Sequence, residues 1–314
     1  MHARLTVLSA LALVAAITAL PAQAVQRTFV ASYGNDANTG TNCGFTNPCR
    51  SFTAAQVVTD TSGEIVALDA AGFGVITIVK SITITANPGF YAGIAASAGD
   101  AVTIASAGVN VILRGLNING IGGVNGIHMT AGSSLAVENC VISNFSNNGI
   151  WIQNSQARVR ISDSVVRGNI LDGIAIEGGA TASVVRTKSN ANGRSGMLVQ
   201  ASVSNTVSTL SVNESDVAAN QYGLIAFSTV SLATGRLSVS RTSVTNNSID
   251  GVATQGMPAT GTTIVSIGDS QVTGNTTGLN NASSSTSTFE SLGNNLVRQN
   301  GTNTSGTITT ISGT

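Results

Sequence analysis

The sequence contains an internal repeat of 23 to 28 residues, and this repeat restricts the possible folds more than any other feature. Each unit has a glycine followed by Ile, Leu, Val or Met, and a short β-like run that ends in asparagine. The glycines are Gly126, Gly149, Gly173, Gly196, Gly223, Gly251 and Gly278, and the asparagines are Asn169, Asn192, Asn220, Asn247, Asn275 and Asn300. A fixed period of this length is typical of a solenoid, in which each repeat packs on its neighbours.

The pattern inside each unit indicates strands. The residues after the repeat glycines form an aliphatic column, and the runs alternate with the period of two expected for strands. Segments with a period of 3.6 residues and a leucine-rich signature are both absent from the sequence. Coils of this length fit a three-sided parallel β-helix with two or three short strands per turn. We read the asparagine column as a structural ladder at turn positions that tolerate left-handed backbone conformations.

The segments Gly63–Phe73 and Val75–Ile84 look like a first coil, and Asn147–Ile150 is an Asn-x-Gly-Ile repeat. With these features the sequence resembles the secreted right-handed parallel β-helix proteins of the pectin-lyase-like superfamily. The resemblance implies an all-β fold, a single right-handed parallel β-helix. Relatives include pectate lyases, polygalacturonases and other carbohydrate-active proteins. The Asn-Thr-Asp, Asp-Asp and Gly-His-Gly motifs of the family's hydrolases are missing, so no catalytic residue is assigned.

Four segments are expected along the chain. Residues 1–24 are read as a signal peptide, with an uncleaved membrane anchor as the alternative, so that the mature chain starts near Val25 and is secreted or periplasmic. Residues 25–62 are an N-terminal cap with a disulfide between Cys43 and Cys49 and a short capping helix within 48–60. Residues 63–300 form the β-helix repeats, and residues 301–314 form a C-terminal tail or last strand.

Composition excludes several partners. Only 9% of the residues are charged and the formal net charge is zero, so there is no basic footprint for nucleic acid. After signal removal no stretch is apolar enough to enter a membrane. The histidines and cysteines lack zinc-ligand spacing, so no metal or cofactor is expected. Cys140 is read as a small inward-facing residue rather than a nucleophile.

One charged column alternates in sign along the repeats. It reads Asp163, Arg186, Glu214, Arg241 and Asp269 at equivalent positions of five successive units. A cluster of carboxylates would suggest calcium binding, but the alternation gives each acid an arginine neighbour. We therefore interpret the column as an outward ladder of ion pairs between neighbouring strands.

The strand after the repeat glycine carries the candidate ligand-binding residues, which are His128, Trp151, Gln153, Glu177 and Gln200. An aromatic ring flanked by amides and a carboxylate suits a sugar, which stacks on the ring and hydrogen-bonds through its hydroxyls. The leading hypothesis is a non-catalytic protein that binds polysaccharide or a cell-surface partner, such as a cell-surface glycan, along one sheet face. The alternatives are a polysaccharide lyase or glycoside hydrolase with an atypical site near Asp172, Glu177 and His128, and a purely structural envelope or adhesion protein. The oligomeric state is left open.

Overall fold

The computed structural model describes residues 26–153, 156–256, 261–282 and 286–312. The expected signal peptide, residues 1–24, lies outside the described residues. The described chain forms a right-handed β-solenoid of three parallel sheets with 12, 10 and 10 strands. Each strand pairs with the equivalent strand of the next coil. The expected all-β parallel β-helix is therefore confirmed.

The strands are numbered β1 to β32 in chain order. Sheet 1 contains β1 (Arg27–Val30), β2 (Gly63–Ala67), β5 (Ile82–Ala86), β8 (Asn110–Arg114), β11 (Ser134–Glu138), β14 (Arg158–Ser162), β17 (Thr181–Val185), β20 (Val207–Asn213), β23 (Thr234–Ser240), β26 (Thr262–Gly268), β29 (Ser287–Ser291) and β32 (Thr309–Thr310). Sheet 2 contains β3 (Ala71–Gly72), β6 (Ala92–Ala96), β9 (Leu116–Gly120), β12 (Val141–Ser143), β15 (Val165–Arg167), β18 (Lys188–Asn190), β21 (Asp216–Ala218), β24 (Ser243–Thr245), β27 (Gln271–Thr273) and β30 (Leu296–Arg298). Sheet 3 contains β4 (Ile76–Ile78), β7 (Val102–Ile104), β10 (Ile127–Met129), β13 (Ile150–Ile152), β16 (Ile174–Ile176), β19 (Ser195–Ala201), β22 (Tyr222–Ser228), β25 (Asp250–Gly256), β28 (Thr277–Asn281) and β31 (Thr302–Ser305).

The core is a set of stacked aliphatic columns inside the tube. The residues after the repeat glycines stack in register, as Ile150 does on Ile127 and on Ile174, and all three are fully buried. The glycine itself is required by a close approach. A Cβ on Gly173 would lie 2.2 Å from Ser189 Oγ and 2.6 Å from the Gly196 carbonyl oxygen. The repeat glycine therefore allows successive coils to pack at this corner.

The asparagine column forms a buried hydrogen-bonded ladder between sheet 2 and sheet 3. Asn192 Nδ2 donates to Asn220 Oδ1 at 3.1 Å, and the same oxygen accepts the Asn192 backbone N–H at 2.9 Å. The left-handed conformation, however, belongs to the preceding residue, with φ of 55° at Ala191 and 58° at Ala219. The expectation that the ladder asparagines themselves are left-handed was wrong. The preceding residue makes the bend, and the asparagine then directs its amide into the ladder.

The charged column lies at the turn from sheet 1 to sheet 2, and not on strands as the sequence suggested. Its members have φ between 45° and 53°, so each bends the chain in a single left-handed residue. Arg186 pairs with Asp163 at 2.7 Å and with Glu214 at 3.9 Å, and Arg241 pairs with Glu214 at 3.2 Å. Asp269 instead accepts a hydrogen bond from Asn294 at 2.6 Å. The ion-pair ladder thus holds for four of the five expected members.

Cys140 follows the same turn one coil before Ser164. It is buried, its Sγ donates to the Glu138 carbonyl oxygen at 3.3 Å, and its backbone N–H donates to Ser164 Oγ at 3.1 Å. Burial raises the pKa of the Cys140 thiol to about 11. A thiol that stays protonated at neutral pH is a poor nucleophile, so Cys140 is a packing residue.

Both ends of the described chain contribute to the solenoid. Cys43 and Cys49 form a disulfide with their Cα atoms 5.0 Å apart, after a 3-10 helix at Asp36–Thr41. Helix α1 (Phe52–Val58) starts at the N-cap Ser51, whose Oγ accepts the Ala54 N–H, and it buries Phe52 against the first coil. At the other end β31 and β32 pair with β28 and β29 and extend their sheets. Among the described residues no helix has the length and apolar character needed to cross a membrane.

Candidate functional site

The register of sheet 3 brings the candidate residues onto one outer face. His128 pairs with Trp151, Trp151 with Ala175, Ala175 with Leu198, and Leu198 with Ile225. Gln153 and Glu177 follow the ends of β13 and β16, and Gln200 lies on β19 beside Phe227. Because neighbouring strands are about 4.8 Å apart, the row from β10 to β22 is about 19 Å long. We call this face the sheet 3 site.

Trp151 and His128 form a stacked pair at the β10 end of the sheet 3 site. Their ring centroids are 4.5 Å apart and the planes differ by 5°. On its other side Trp151 packs against a buried apolar cluster of Ala175, Leu198, Ile225 and Ala253. One face of the indole is therefore covered by the imidazole, and Trp151 is half-buried rather than an open platform. A ligand on this sheet would meet the ring edges and the polar groups around them.

Asp100 orients the imidazole of His128. Its Oδ2 lies 2.7 Å from His128 Nδ1, while its Oδ1 accepts from the Asn125 backbone N–H at 3.1 Å and from Asn125 Nδ2 at 2.8 Å. An ionised carboxylate only accepts, so the proton of the neutral imidazole lies on Nδ1. Nε2 is then an acceptor on the side of Gln153, whose Oε1 is 3.4 Å away. Protonated His128 would donate to that oxygen.

Glu177 is half-buried beside the aromatic pair. Burial raises the pKa of its carboxyl above the ordinary 4.5, and the nearby charge of Asp172 adds to the rise. The Trp151 N–H, Arg194 and His128 act in the opposite direction and lower the pKa. The Trp151 N–H acts on the Glu177 carboxyl from outside normal hydrogen-bond geometry, because its buried nitrogen has no described partner within normal distance and angle. Glu177 therefore lies close enough to Asp172 and Arg194 for their charges to act on its carboxyl group.

Asp172 and Arg194 form a partly buried ion pair next to Glu177. Asp172 is fully buried, and it accepts from Arg194 Nε at 2.9 Å, from a second guanidinium nitrogen of Arg194, and from the Ser195 backbone N–H at 3.1 Å. The hydrogen bond to Asp172 raises the pKa of the Arg194 guanidinium. This arrangement occupies the Asp172 carboxylate, but the half-exposed guanidinium still faces the site. Asp250, also at the start of a sheet 3 strand, accepts instead from Asn280 Nδ2 at 3.0 Å.

Gln200 lies further along the same face, in a small cleft of about 90 Å³. The cleft is lined by polar and aromatic side chains, among them Arg194, Gln200, Tyr222, Phe227 and Gln255. Arg194 is therefore shared between this cleft and the charged cluster around Glu177. Among the described residues, no group of three or more His, Cys, Asp or Glu side chains is placed to hold a metal ion.

A comparison with protein families identifies the fold family. The model of the right handed beta helix region matches residues 24–209 and 125–312, which together span most of the chain. The chain belongs to the right-handed β-helix family. A search of curated proteins found no match.

Two solved structures have a fold similar to that of this right-handed β-helix. It is similar to pectate lyase Pel9A, with 16% identity, a TM-score of 0.67, and 85% of this chain and 75% of that chain covered. It is also similar to the A-module of mannuronan C-5 epimerase AlgE4 from Azotobacter vinelandii, with 12% identity, a TM-score of 0.50, and 92% and 88% covered. At these identities the similarity shows the fold alone.

The sequence interpretation missed two residues of the sheet 3 site, Asp100 and Arg194. Asp100 occupies the coil position that Asn125 occupies 25 residues later, but Ala101 replaces the repeat glycine in that coil, so the glycine search did not find it. The pairing of Val102 with Ile127 shows that Asp100 and Asn125 occupy equivalent positions in neighbouring coils. Arg194 precedes the start of β19 and had no motif of its own. It is recognised only through its contact with Asp172.

Proposed function

We propose that this right-handed β-helix binds a polysaccharide segment along the sheet 3 site. The observation that carries the proposal is the convergence of the Asp100–His128 pair, Glu177 and Arg194 around the single tryptophan on one outer sheet face. Acceptors and donors at fixed spacing suit the hydroxyl groups of a sugar, and the edges of Trp151 and His128 supply apolar contact. The two structural relatives are named for action on pectate and mannuronan, which supports a carbohydrate ligand.

We favour binding over catalysis because the acidic groups do not form a pair that could hydrolyse a glycosidic bond. Asp172 is held by Arg194, and Asp250 is held by Asn280. A glycosidase needs two carboxyl groups roughly 5–10 Å apart that can take up and release protons. Glu177 remains the one acid of the cluster that is half-buried and not in an ion pair with an arginine or histidine.

The experiment is a glycan array followed by calorimetric titration of the best ligand. Glu177→Gln keeps the side-chain shape and removes the charge, His128→Gln removes the imidazole, and each is expected to weaken binding at least tenfold. Trp151→Ala is expected to abolish it. Tyr33→Ala removes an exposed aromatic side chain that is distant in sequence from the sheet 3 site. It serves as the control, and its affinity is expected to be unchanged. Absence of glycan binding, or equal binding by wild type and the site variants, would refute the proposal.

Catalysis is the second candidate, and the Asp100–His128 pair is the observation that favours it. A carboxylate that holds Nδ1–H leaves Nε2 as a base directed at the ligand, as in general-base catalysis. Arg194 would face the negative charge that develops on the substrate. Release of unsaturated or reducing sugars from polysaccharides, lost in His128→Gln and reduced in Asp100→Asn, would establish this candidate. Binding with no product would establish the first one.

We also propose that the protein acts outside the cytoplasm, with residues 1–24 removed on export. The disulfide between Cys43 and Cys49 supports this because such bonds persist in oxidising compartments. N-terminal sequencing of the exported protein is expected to start near Val25. A mature chain that still begins at Met1 would contradict this part of the proposal.

A further inference from the structure

The outer face of sheet 1 contains a long groove that is separate from the sheet 3 site. Its volume is about 860 Å³, and its lining comes from six neighbouring strands, β5 to β20. At about 4.8 Å per strand the groove runs about 24 Å along the solenoid axis. A groove of this length fits a short linear chain of linked units better than a single small molecule.

Of the described residues that line the groove, only two arginines on β14 are charged. Arg158 and Arg160 are two residues apart on an extended strand, so both face outward with their Cα atoms about 7 Å apart. Both side chains are exposed, and neither has an ion-pair partner among the described residues. By contrast, Arg114 near the edge of the groove is neutralised by Glu138 at 2.8 Å.

The neighbours of the two arginines are small and uncharged. Arg158 lies between Ser134 and Thr181, and Arg160 lies between Ala136 and Ser183. Asp163, at the turn after β14, interacts mainly with Arg186, whose hydrogen bond lowers its pKa most, and Arg160 makes the smallest contribution to that shift. The groove therefore presents two positive charges beside serine and threonine hydroxyls and the half-buried Ile112, and its lining also includes the buried aliphatic side chains of Ile82, Val111, Leu135 and Val159.

We infer that this groove is a second binding site, and that it takes a linear acidic glycan whose carboxylate or sulfate groups pair with Arg158 and Arg160. Guanidinium groups bind such anions through paired N–H donors, and serine and threonine hydroxyls suit sugar hydroxyls. An acidic peptide could not add as a strand here, because the backbone groups of the inner strands are already paired on both sides. Among its described lining residues the groove has no aromatic side chain for stacking the bases of a single-stranded nucleic acid.

The test measures the affinity of the full protein for three hexasaccharides of similar length: an oligogalacturonate, a heparin fragment and neutral maltohexaose. At least one acidic probe is expected to bind and maltohexaose is not expected to bind at this groove. Binding of the oligogalacturonate indicates carboxylate recognition, and binding of the heparin fragment alone indicates sulfate recognition. The double variant Arg158→Gln with Arg160→Gln is expected to lower the affinity for that probe at least tenfold.

A matched control removes the same charge elsewhere. Arg167→Gln with Lys188→Gln changes two exposed cations on sheet 2 and is expected to leave the affinity unchanged. His128→Gln is also expected to bind the acidic probe normally, which separates this site from the sheet 3 site. Failure of both acidic probes to bind, full binding by the Arg158/Arg160 variant, or an equal loss in the sheet 2 control would overturn the inference.

Discussion

At the scale of single residues, the buried carboxylate of Asp172 depends on Arg194. Asp172 has no exposed surface, so removing its arginine partner leaves a buried charge with only the Ser195 N–H and any water that enters. Arg194→Ala is expected to lower the free energy of unfolding by about 1–3 kcal/mol, the cost of an unsatisfied buried group. Chemical denaturation measures this difference.

The control for this change is Arg186→Ala in the exposed ion-pair ladder. Arg186 also pairs with an aspartate, but that pair is exposed to water, and such pairs contribute little. Its unfolding midpoint is expected to stay close to that of the wild type. An Arg194 variant as stable as the Arg186 variant would show that water already solvates Asp172.

The carboxyl groups of Glu177 and Asp163 are expected to change the stability of the protein with pH in opposite directions. Burial raises the pKa of Glu177 above 4.5, so its contribution to stability is present below that value and is lost as the pH rises through the folded-state pKa. The hydrogen bond from Arg186 lowers the pKa of Asp163 below 3.8, so its contribution is present above 3.8 and is lost as the pH falls through the folded-state pKa.

Unfolding curves measured between about pH 3 and 7 cover the ordinary pKa values of both carboxyl groups. They therefore test both expected directions of the change in stability. Relative to wild type, Glu177→Gln is expected to become more stable as the pH rises, and Asp163→Asn is expected to become more stable as the pH falls. Parallel pH profiles of the two variants would contradict the environments assigned to the two side chains.

At the scale of elements, the asparagine ladder holds the turns between sheet 2 and sheet 3. Asn220→Ala removes the acceptor of the Asn192 backbone N–H and of Asn192 Nδ2, and both groups are buried. We expect a loss of about 1–3 kcal/mol in unfolding free energy. Asn300→Ala at the end of the ladder is the matched change and is expected to cost less, because Asn300 itself is half-exposed and water can take the place of its amide. Equal losses would argue against a buried ladder.

The left-handed residue before each ladder asparagine gives a stabilising prediction. Ala219 has a φ of 58°, which an L-residue with a Cβ adopts at a cost of about 1–2 kcal/mol. Ala219→Gly is therefore expected to raise the melting temperature, while Ala218→Gly, one residue earlier in β21, is expected to lower it. Differential scanning calorimetry compares the two. The same sign of change in both variants would contradict the assigned backbone conformation.

The coils were predictable from sequence because each repeat must bury the same positions against its neighbours. The stacked columns after the repeat glycines follow from this constraint. The turn conformations were not predictable in the same way. The period-two pattern of a strand does not apply to a turn of one left-handed residue, so the column of Arg186 and Glu214 was assigned to strands.

The sheet 3 site was predicted in part for a related reason. His128, Trp151 and Glu177 share a face because they lie at repeat positions. The Asp100–His128 contact joins two coils, one of which lacks the repeat glycine. The stacking of His128 on Trp151 depends on side-chain rotamers, which periodicity does not determine.

At the scale of the whole molecule, the solenoid separates two polar faces with different charge. The sheet 3 site combines acids with Arg194 and His128, whereas the sheet 1 groove contains two arginines that have no ion-pair partner in the described part of the chain. The two proposed sites therefore share no residue. The low content of charged residues agrees with this arrangement, because most coil positions stack aliphatic or small polar side chains.

The central claim is that glycan binds at the sheet 3 site, and the fluorescence of Trp151 tests it most directly. Trp151 is the only tryptophan in the chain, so its emission reports on this site alone. Titration with the best glycan from the array is expected to change the Trp151 emission with the same dissociation constant that calorimetry gives, and Glu177→Gln is expected to weaken both signals together. Calorimetric binding with no change in Trp151 emission would contradict the account.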